Sequence, residues 1–342
     1  MHKPKRMSDV AKVAGVSTMT VSRVLKAHTS VSDEVRQRVL AVIDHLDYQP
    51  NEVARSLRDR RSRQIGVLVP NLFDPFFAAC AHTISTVAKQ HAYSVVLSTS
   101  NESPHDELDE TSRMMRRAIE GLLVIPATAP ASLPSLLMQR AFHHLPIVAL
   151  DRPIEGDRYD CVLVENSEGS RLGTNHLIQL GHNNIAYLGL SSVLYTMQMR
   201  ERGFCSAMQD ARLQPTILHL AETIDSARQA VNGLLRSKTP PTALFCANNL
   251  ITRHVLHCLQ EHGIYPPDRT ALVGFDDFET ADLLRPGITT VRQPVEAMGR
   301  IAADLLFAQL GRSDLVASHQ SRRIMLPVEL IVRGSCGSPL AR

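Results

Sequence analysis

From Gln64 onward, short apolar runs alternate with amphipathic stretches. The runs are QIGVLVP (64–70), YSVVLSTS (93–100), GLLVIP (121–126), PIVAL (146–150), CVLVEN (161–166), NIAYLGL (184–190), TALFCANN (242–249) and ALVGFDD (271–277). Between most of them lie helical patterns, as at 76–91 and 106–118. Strands alternating with helices predict parallel sheets. A run of this length predicts two lobes rather than one core.

The N-terminal part has a different rhythm. Ser8 is a candidate N-cap with Asp9 in the first turn, and Val10, Ala11, Val13 and Ala14 predict a short helix with an apolar side. Gly15 breaks it. Ser17 opens a second helix with Val21, Val24 and Leu25 buried. Ser32, followed by Asp33 and Glu34, opens a third, with Val35, Val39, Val42, Ile43 and Leu46 at helical spacing. Short helix, glycine-containing turn, short helix and longer helix form the helix-turn-helix layout. Its second helix enters the DNA major groove. Val16, Val21 and Val24 would anchor that helix and leave Thr18, Met19, Ser22 and Arg23 outward. Arginine can donate two bonds to guanine, and Met and the Thr methyl can pack on thymine methyls. Read alone, the same helix is also a solvated amphipathic one.

Charge separates the two parts. Residues 1–63 hold 13 Lys and Arg against 7 Asp and Glu, a net of +6, while the remainder has a net of −3. A basic head on a mildly acidic body suits either a polyanion-binding head or a solvated basic terminus, and charge alone does not separate the two. The absence of Trp argues against a stacking platform for single strands. Six scattered cysteines with no CxxC pair suit a reducing compartment. The basic start lacks the apolar run of a signal peptide, and no segment approaches the length of a membrane span. A cytoplasmic protein without a membrane partner is the expectation. No nucleotide-binding loop, nucleophile elbow or HExxH motif marks an enzyme, and no cofactor is expected. His254, His257, Cys258 and His262 could align on one helix as a metal cluster, but Ile251, Val255 and Leu259 on the same helix favour a surface or interface role, so no metal is assigned.

The features DVAKVAGVS, TVSRVL, the YxPN turn and VARSL resemble the DNA-binding headpiece of the lactose/galactose repressor (LacI/GalR) family. The likeness extends over nearly the whole chain. It implies an N-terminal all-α helix-turn-helix headpiece with a hinge helix, then a two-lobed α/β core of parallel sheets like the periplasmic sugar-binding proteins. The expected boundaries are a headpiece at 1–50, a hinge helix and linker at 51–63, and an effector-binding and dimerisation core at 64–342. Its N-lobe would comprise about 64–164 plus 294–325, and its C-lobe about 165–290 plus 326–342. Pro50 is expected to stop the third helix, and Asn51 to cap the hinge helix. Arg55 and Arg58 would lie on DNA, with Leu57 as the wedge that kinks the central base step.

In such folds ligands bind at the C-terminal ends of strands. The resemblance then implies an effector site of Asp74, Phe76, Phe77, Asp151, Arg152, Arg200, Asn248, Asp276 and Gln293, with Asn249 beside them. A ring at Phe77 would pack on a sugar, and the acids, amides and guanidiniums would hold its hydroxyls. Asp74 replaces the family's usual Asn, Asn249 a usual Asp, and Glu165 stands where Asp is common. LSSVLYTMQM (190–199) is more apolar than usual. The implied effector is a sugar or sugar acid, with a non-sugar such as a purine as the alternative. The implied partners are a near-palindromic double-stranded operator and a second copy of the chain. The tail GSCGSPLAR lacks the heptads of tetrameric relatives. A secreted solute-binding protein would share the body but not the head.

Overall fold

The structure is a computed structural model that describes residues 5–25, 30–48, 62–127, 145–154, 158–190, 194–310 and 321–337. The chain divides into two compact units, Met1–Ser62 and Arg63–Arg342.

The first unit holds α1 (Met7–Ala14), α2 (Thr18–Leu25) and α3 (Asp33–His45). α1 starts before Ser8, because the Asp9 carboxylate reaches back to accept the Arg6 backbone N–H at 2.8 Å. Gly15 closes it at φ 66°, left-handed geometry that glycine adopts without a Cβ clash. Val10, Ala11 and Ala14 are buried, but Val13 is turned to solvent, off the face those three share. Ser17 Oγ caps α2 by accepting the Thr20 N–H at 3.1 Å. α3 follows Ser32, whose side chain makes no cap bond. It stops at His45 rather than at Pro50: Asp47 turns left-handed at φ 46° and the Tyr48 N–H bonds back to Ile43 O. Val10, Val21, Val24, Val39 and Tyr48 form the small core.

The second unit carries two six-stranded sheets. The first includes β1 (Gln64–Val69), β2 (Ser94–Thr99), β3 (Gly121–Val124), β4 (Ile147–Leu150) and β5 (Asp160–Val164). The second includes β6 (Ile185–Leu190), β7 (Thr216–Leu220), β8 (Ala243–Cys246), β9 (Ala271–Phe275) and β10 (Thr289–Arg292). The last two strands are shared out: β11 (Arg323–Leu326) completes the first sheet and β12 (Glu329–Ile331) the second. The sheet orders are β11-β5-β4-β3-β1-β2 and β12-β10-β9-β8-β6-β7, so the two lobes repeat one topology. Pairing is parallel except for β12 on β10. β1, β3, β4, β6, β8 and β9 are buried almost throughout, as strands covered on both faces must be.

The helices are α4 (Pro75–Gln90), α5 (Pro104–Arg116), α6 (Asn166–Gln179), α7 (Tyr195–Asp210), α8 (Ile224–Leu235), α9 (Asn249–Glu261) and α10 (Val295–Leu310). α10 returns to the first lobe, where Met298, Ala302 and Leu306 join Ile65, Phe77 and Val148. The chain therefore crosses between the sheets at 165, at 293–294 and at 327–328. β7, β10, β11 and β12 were not among the apolar runs; TILHL and RIML are half-exposed edge segments.

Candidate functional site

In the first unit, Thr18, Met19 and Arg23 are exposed on α2 and Ser22 is half-buried, while Val21 and Val24 face the core. A valine knob every third residue thus leaves one polar face outward. Met19 is 62% exposed, a large apolar side chain left mostly uncovered. Asn51, Arg55, Leu57 and Arg58 lie outside the described residues.

In the second unit, all nine candidate effector residues line one cavity of about 370 Å³ between the lobes, within the size range of small-ligand sites. Each stands at a strand's C-terminal end, on the helix that follows it, or on a crossover. Asp74 caps α4, its Oδ1 accepting the Phe76 N–H at 2.9 Å, and so places Phe76 and Phe77 edge to face at the cavity wall. Asn71 Oδ1 accepts the N–H groups of Phe73 and Asp74, and Phe73 stands 96% exposed at the mouth. Asn248 caps α9 through its Oδ1 to the Ile251 N–H at 2.8 Å. Asn249 Nδ2 donates across the cleft to Asp74 Oδ1 at 2.9 Å.

Two aspartates occupy matching places. Asp151 follows β4 and Asp276 follows β9, the fourth strand of each lobe, both left-handed at φ 65° and 68°. Asp and Asn tolerate that region better than most side chains. Asp276 Oδ2 takes a bond from Arg200 Nη1 at 3.0 Å, and Gln293 Nε2 donates to Oδ1 at 2.5 Å. Arg200 is further held by Asn166 Oδ1 at 2.8 Å and Ala247 O at 2.6 Å, with its guanidinium 3.7 Å from the Phe275 ring centre. α6 and α7 approach closely at Gly203, where a Cβ would fall 1.9 Å from Ser167 O. That approach brings Arg200 within reach of Asn166.

The N-lobe wall is arranged differently. Arg152 donates from both terminal nitrogens to Glu102, at 2.6 and 2.7 Å, and from Nη1 to Pro126 O at 3.1 Å. Its Nε stands 3.4 Å from Asp151 Oδ2. Asp151 Oδ1 is buried without a hydrogen-bond partner. Burial pushes the Asp151 carboxyl up to about 6 against the pull of Arg152 and Arg200. Burial also raises Asp276, with Arg200 opposing. Behind Arg152, burial lifts Glu107 to about 7, partly offset by the Ala127 N–H its Oε1 accepts.

Other residues at the site escaped the sequence reading. Glu102 and Glu222 both line the cavity, each just past the second strand of its lobe. β7 is too polar to register as an apolar run, so nothing flagged Glu222 as a post-strand residue. Asn166, hidden behind Arg200, gave no signal beyond the VEN triplet. Leu190, Leu194 and Met197 form an apolar patch on the wall. The His254, His257, Cys258 and His262 group does not converge: Cys258 is buried, His257 faces Glu261 at 3.3 Å and His262 bonds Asn232 at 2.6 Å. Among the described residues no three His, Cys, Asp or Glu could hold a metal ion.

A helix-turn-helix unit and a separate two-lobed unit enclosing a polar cleft define a DNA-binding regulator. Comparison with known proteins agrees. Residues 6–51 match the model of the bacterial regulatory proteins of the lacI family, and residues 174–336 match a periplasmic binding protein-like domain. The chain is 31% identical to the HTH-type transcriptional repressor PurR of Mannheimia succiniciproducens, over 96% of this chain and 98% of that one. It is 30% identical to the ribose operon repressor of Halalkalibacterium halodurans, over 95% of each. A lac repressor dimer bound to operator and the anti-inducer ONPF superposes with a TM-score of 0.88 at 26% identity, over 98% of this chain and all of that one. The chain belongs to the LacI family. It is a DNA-binding transcriptional repressor and not an enzyme. No helix among the described residues is long and apolar enough to cross a membrane.

Proposed function

We propose that this repressor binds a near-palindromic operator as a homodimer in the cytoplasm, under the control of a small sugar or sugar acid held in the interlobe cleft. The headpiece up to about residue 50 reads DNA, residues 51–63 form the hinge, and the core from 64 binds the effector and the second copy. The observation that carries the effector reading is the convergence of Asp74, Phe77, Asp151, Arg152, Arg200, Asp276 and Gln293 on one cavity. Carboxylates, amides and an aromatic wall suit vicinal hydroxyls on an apolar ring face. The effector acts only through different affinity for two lobe arrangements, and coupling of about 1–3 kcal/mol gives a 5- to 150-fold change in operator affinity.

On α2, Arg23 and Met19 are the proposed base readers, with Thr18 and Ser22 beside them. Arg23→Ala should relax base choice at one position of each half-site, at a cost of about 1–3 kcal/mol. Binding titrations on single-base operator variants measure this, and an unaltered specificity profile removes the role.

A non-sugar effector is the second reading. Leu190, Leu194, Met197 and Phe77 line the same cavity and would suit a planar base. Thermal unfolding against pentoses, hexoses and purine bases decides between them. A ligand at a hundred times its Kd adds about 2.7 kcal/mol, a clear rise in Tm. A shift with a sugar supports the first reading, and a shift with a base alone supports the second.

A further inference from the structure

We infer that the cleft selects its effector by charge, admitting an uncharged or amine-bearing polyol and rejecting sugar acids and sugar phosphates. This rests on the sugar reading of the cleft and narrows it.

The first observation is the balance of lining charge. Asp74, Glu102, Asp151, Glu222 and Asp276 face three cations, Arg152, Arg200 and Arg253. The second is that Arg152 is engaged through both terminal nitrogens and Arg200 through Nε and Nη1. Both terminal nitrogens of Arg152 are spent on Glu102, in the fork geometry that a ligand carboxylate would need. Arg200 gives Nε to Asn166 and Nη1 to Ala247 O and Asp276. A carboxylate that took the Arg152 fork would have to displace Glu102, and one that took Arg200 Nη1 would have to displace Asp276, leaving the displaced carboxylate without its partner.

The third observation is the sense of the unpartnered groups. Three buried acceptor atoms at the cavity lack hydrogen bonds: Asp151 Oδ1, Asn249 Oδ1 and Gln293 Oε1. The two amide oxygens are fixed in that orientation because each NH2 group donates to a carboxylate, Asn249 to Asp74 and Gln293 to Asp276. Against them Arg152 Nε is the one buried donor of the cavity without a hydrogen bond among the described residues. Among the buried lining atoms of the described residues, unmet acceptors outnumber unmet donors by three to one. Hydroxyls and ammonium groups supply donors, whereas an ionised carboxylate or phosphate brings only acceptors. Glu222, exposed at the rim, adds a negative charge at the entrance.

The test is isothermal titration of the full chain at pH 8 with matched sets of ligands: each free pentose or hexose, its aldonate, its phosphate and its amino derivative. The expected result is a neutral sugar that binds, an aldonate and a phosphate at least 100-fold weaker, and an amino derivative at least as tight as the parent. An anionic member binding within tenfold of its neutral parent overturns the inference. Glu222→Gln, at an exposed position, should raise the affinity of the anionic members relative to the neutral one by several-fold. An unchanged ratio overturns the part assigned to the rim. If only a purine base binds, the sugar reading fails separately, and the charge rule is read on that skeleton: tighter binding of the base than of its 5′-monophosphate sustains it, and the reverse order overturns it.

Discussion

The two walls of the cleft use the same backbone and finish it differently. In each lobe the fourth strand ends in a left-handed aspartate, Asp151 in one and Asp276 in the other. Both oxygens of Asp276 are bonded, and its partner Arg200 is clamped by Asn166, Ala247 O and the Phe275 ring. Asp151 has one oxygen 3.4 Å from Arg152 Nε and the other bare. The next residue inverts its charge between lobes, Arg152 against Asp277. Burial opposes ionisation of Asp277, but bonds from Arg333, Arg292 and Thr290 hold it down at about 2. On the C-lobe wall the Asp276 carboxylate is completed by its own lobe. On the N-lobe wall the Asp151 carboxylate keeps one oxygen unmet.

The largest expected effect comes from breaking the finished side. Asp276→Ala leaves the Arg200 guanidinium buried without its carboxylate, at a cost of about 3–5 kcal/mol. It should also abolish the effector-induced rise in Tm. On the other wall Asp151→Asn removes a charge whose elevation from 3.8 to about 6 corresponds to about 3 kcal/mol of unfavourable ionisation. That figure already includes the attraction to Arg152 and Arg200, and the new amide buries an NH2 group that needs its own acceptor, so a gain of about 1–2 kcal/mol is expected at pH 8. Urea unfolding of both variants measures the contrast. Losses of similar size from both would erase the distinction between the walls.

The same asymmetry has a pH signature. Asp151 lies among Arg152, Arg200, Asp276 and Glu102. Its folded pKa is the higher one, so between 3.8 and about 6 the folded state holds the proton more tightly than the unfolded chain. Stability therefore falls as pH rises through that window and levels off above it. Glu107 acts in the same direction between 4.5 and about 7. A ligand that donates to Asp151 needs the carboxylate, so effector affinity should rise over the window in which stability falls. Stability and affinity measured from pH 4 to pH 8 check this. Asp151→Asn should flatten most of the affinity slope, and a slope that persists in full would move the titration to another group.

What the sequence could reveal follows from how each feature is encoded. The headpiece was legible because its valines fall at helical spacing around a left-handed Gly15. The central strands were legible because burial on both faces writes a continuous apolar run. The edge strands β2 and β7 are equally real, but only β2 carries enough apolar residues in SVVLST to register; TILHL is interrupted by His219. The post-strand position then marked Asp151, Arg152 and Asp276, and hid Glu222 behind its unread strand. Pairing was illegible. Nothing in the string says that Glu102, 50 residues away, occupies the fork of Arg152.

The smallest effect concerns a bond that joins the two walls directly. Asp74 Oδ1 accepts both the Phe76 N–H, which caps α4, and Asn249 Nδ2 from the other lobe. Asp74→Ala would lose both and mix helix capping with lobe contact. Asn249→Ala removes only the cross-cleft bond, and a half-buried hydrogen bond of this kind contributes about 0.5–1.5 kcal/mol. The variant should unfold at nearly the parent's denaturant midpoint, yet bind effector up to about tenfold more weakly, because the ligand must then hold the lobes together unaided. Asp74→Asn is the control, since its amide oxygen can still accept from both donors and should restore most of the affinity. Full affinity in Asn249→Ala would mean that the walls are held at this separation by the three crossovers alone, and the asymmetry between them would then rest on Asp151 and Asp276.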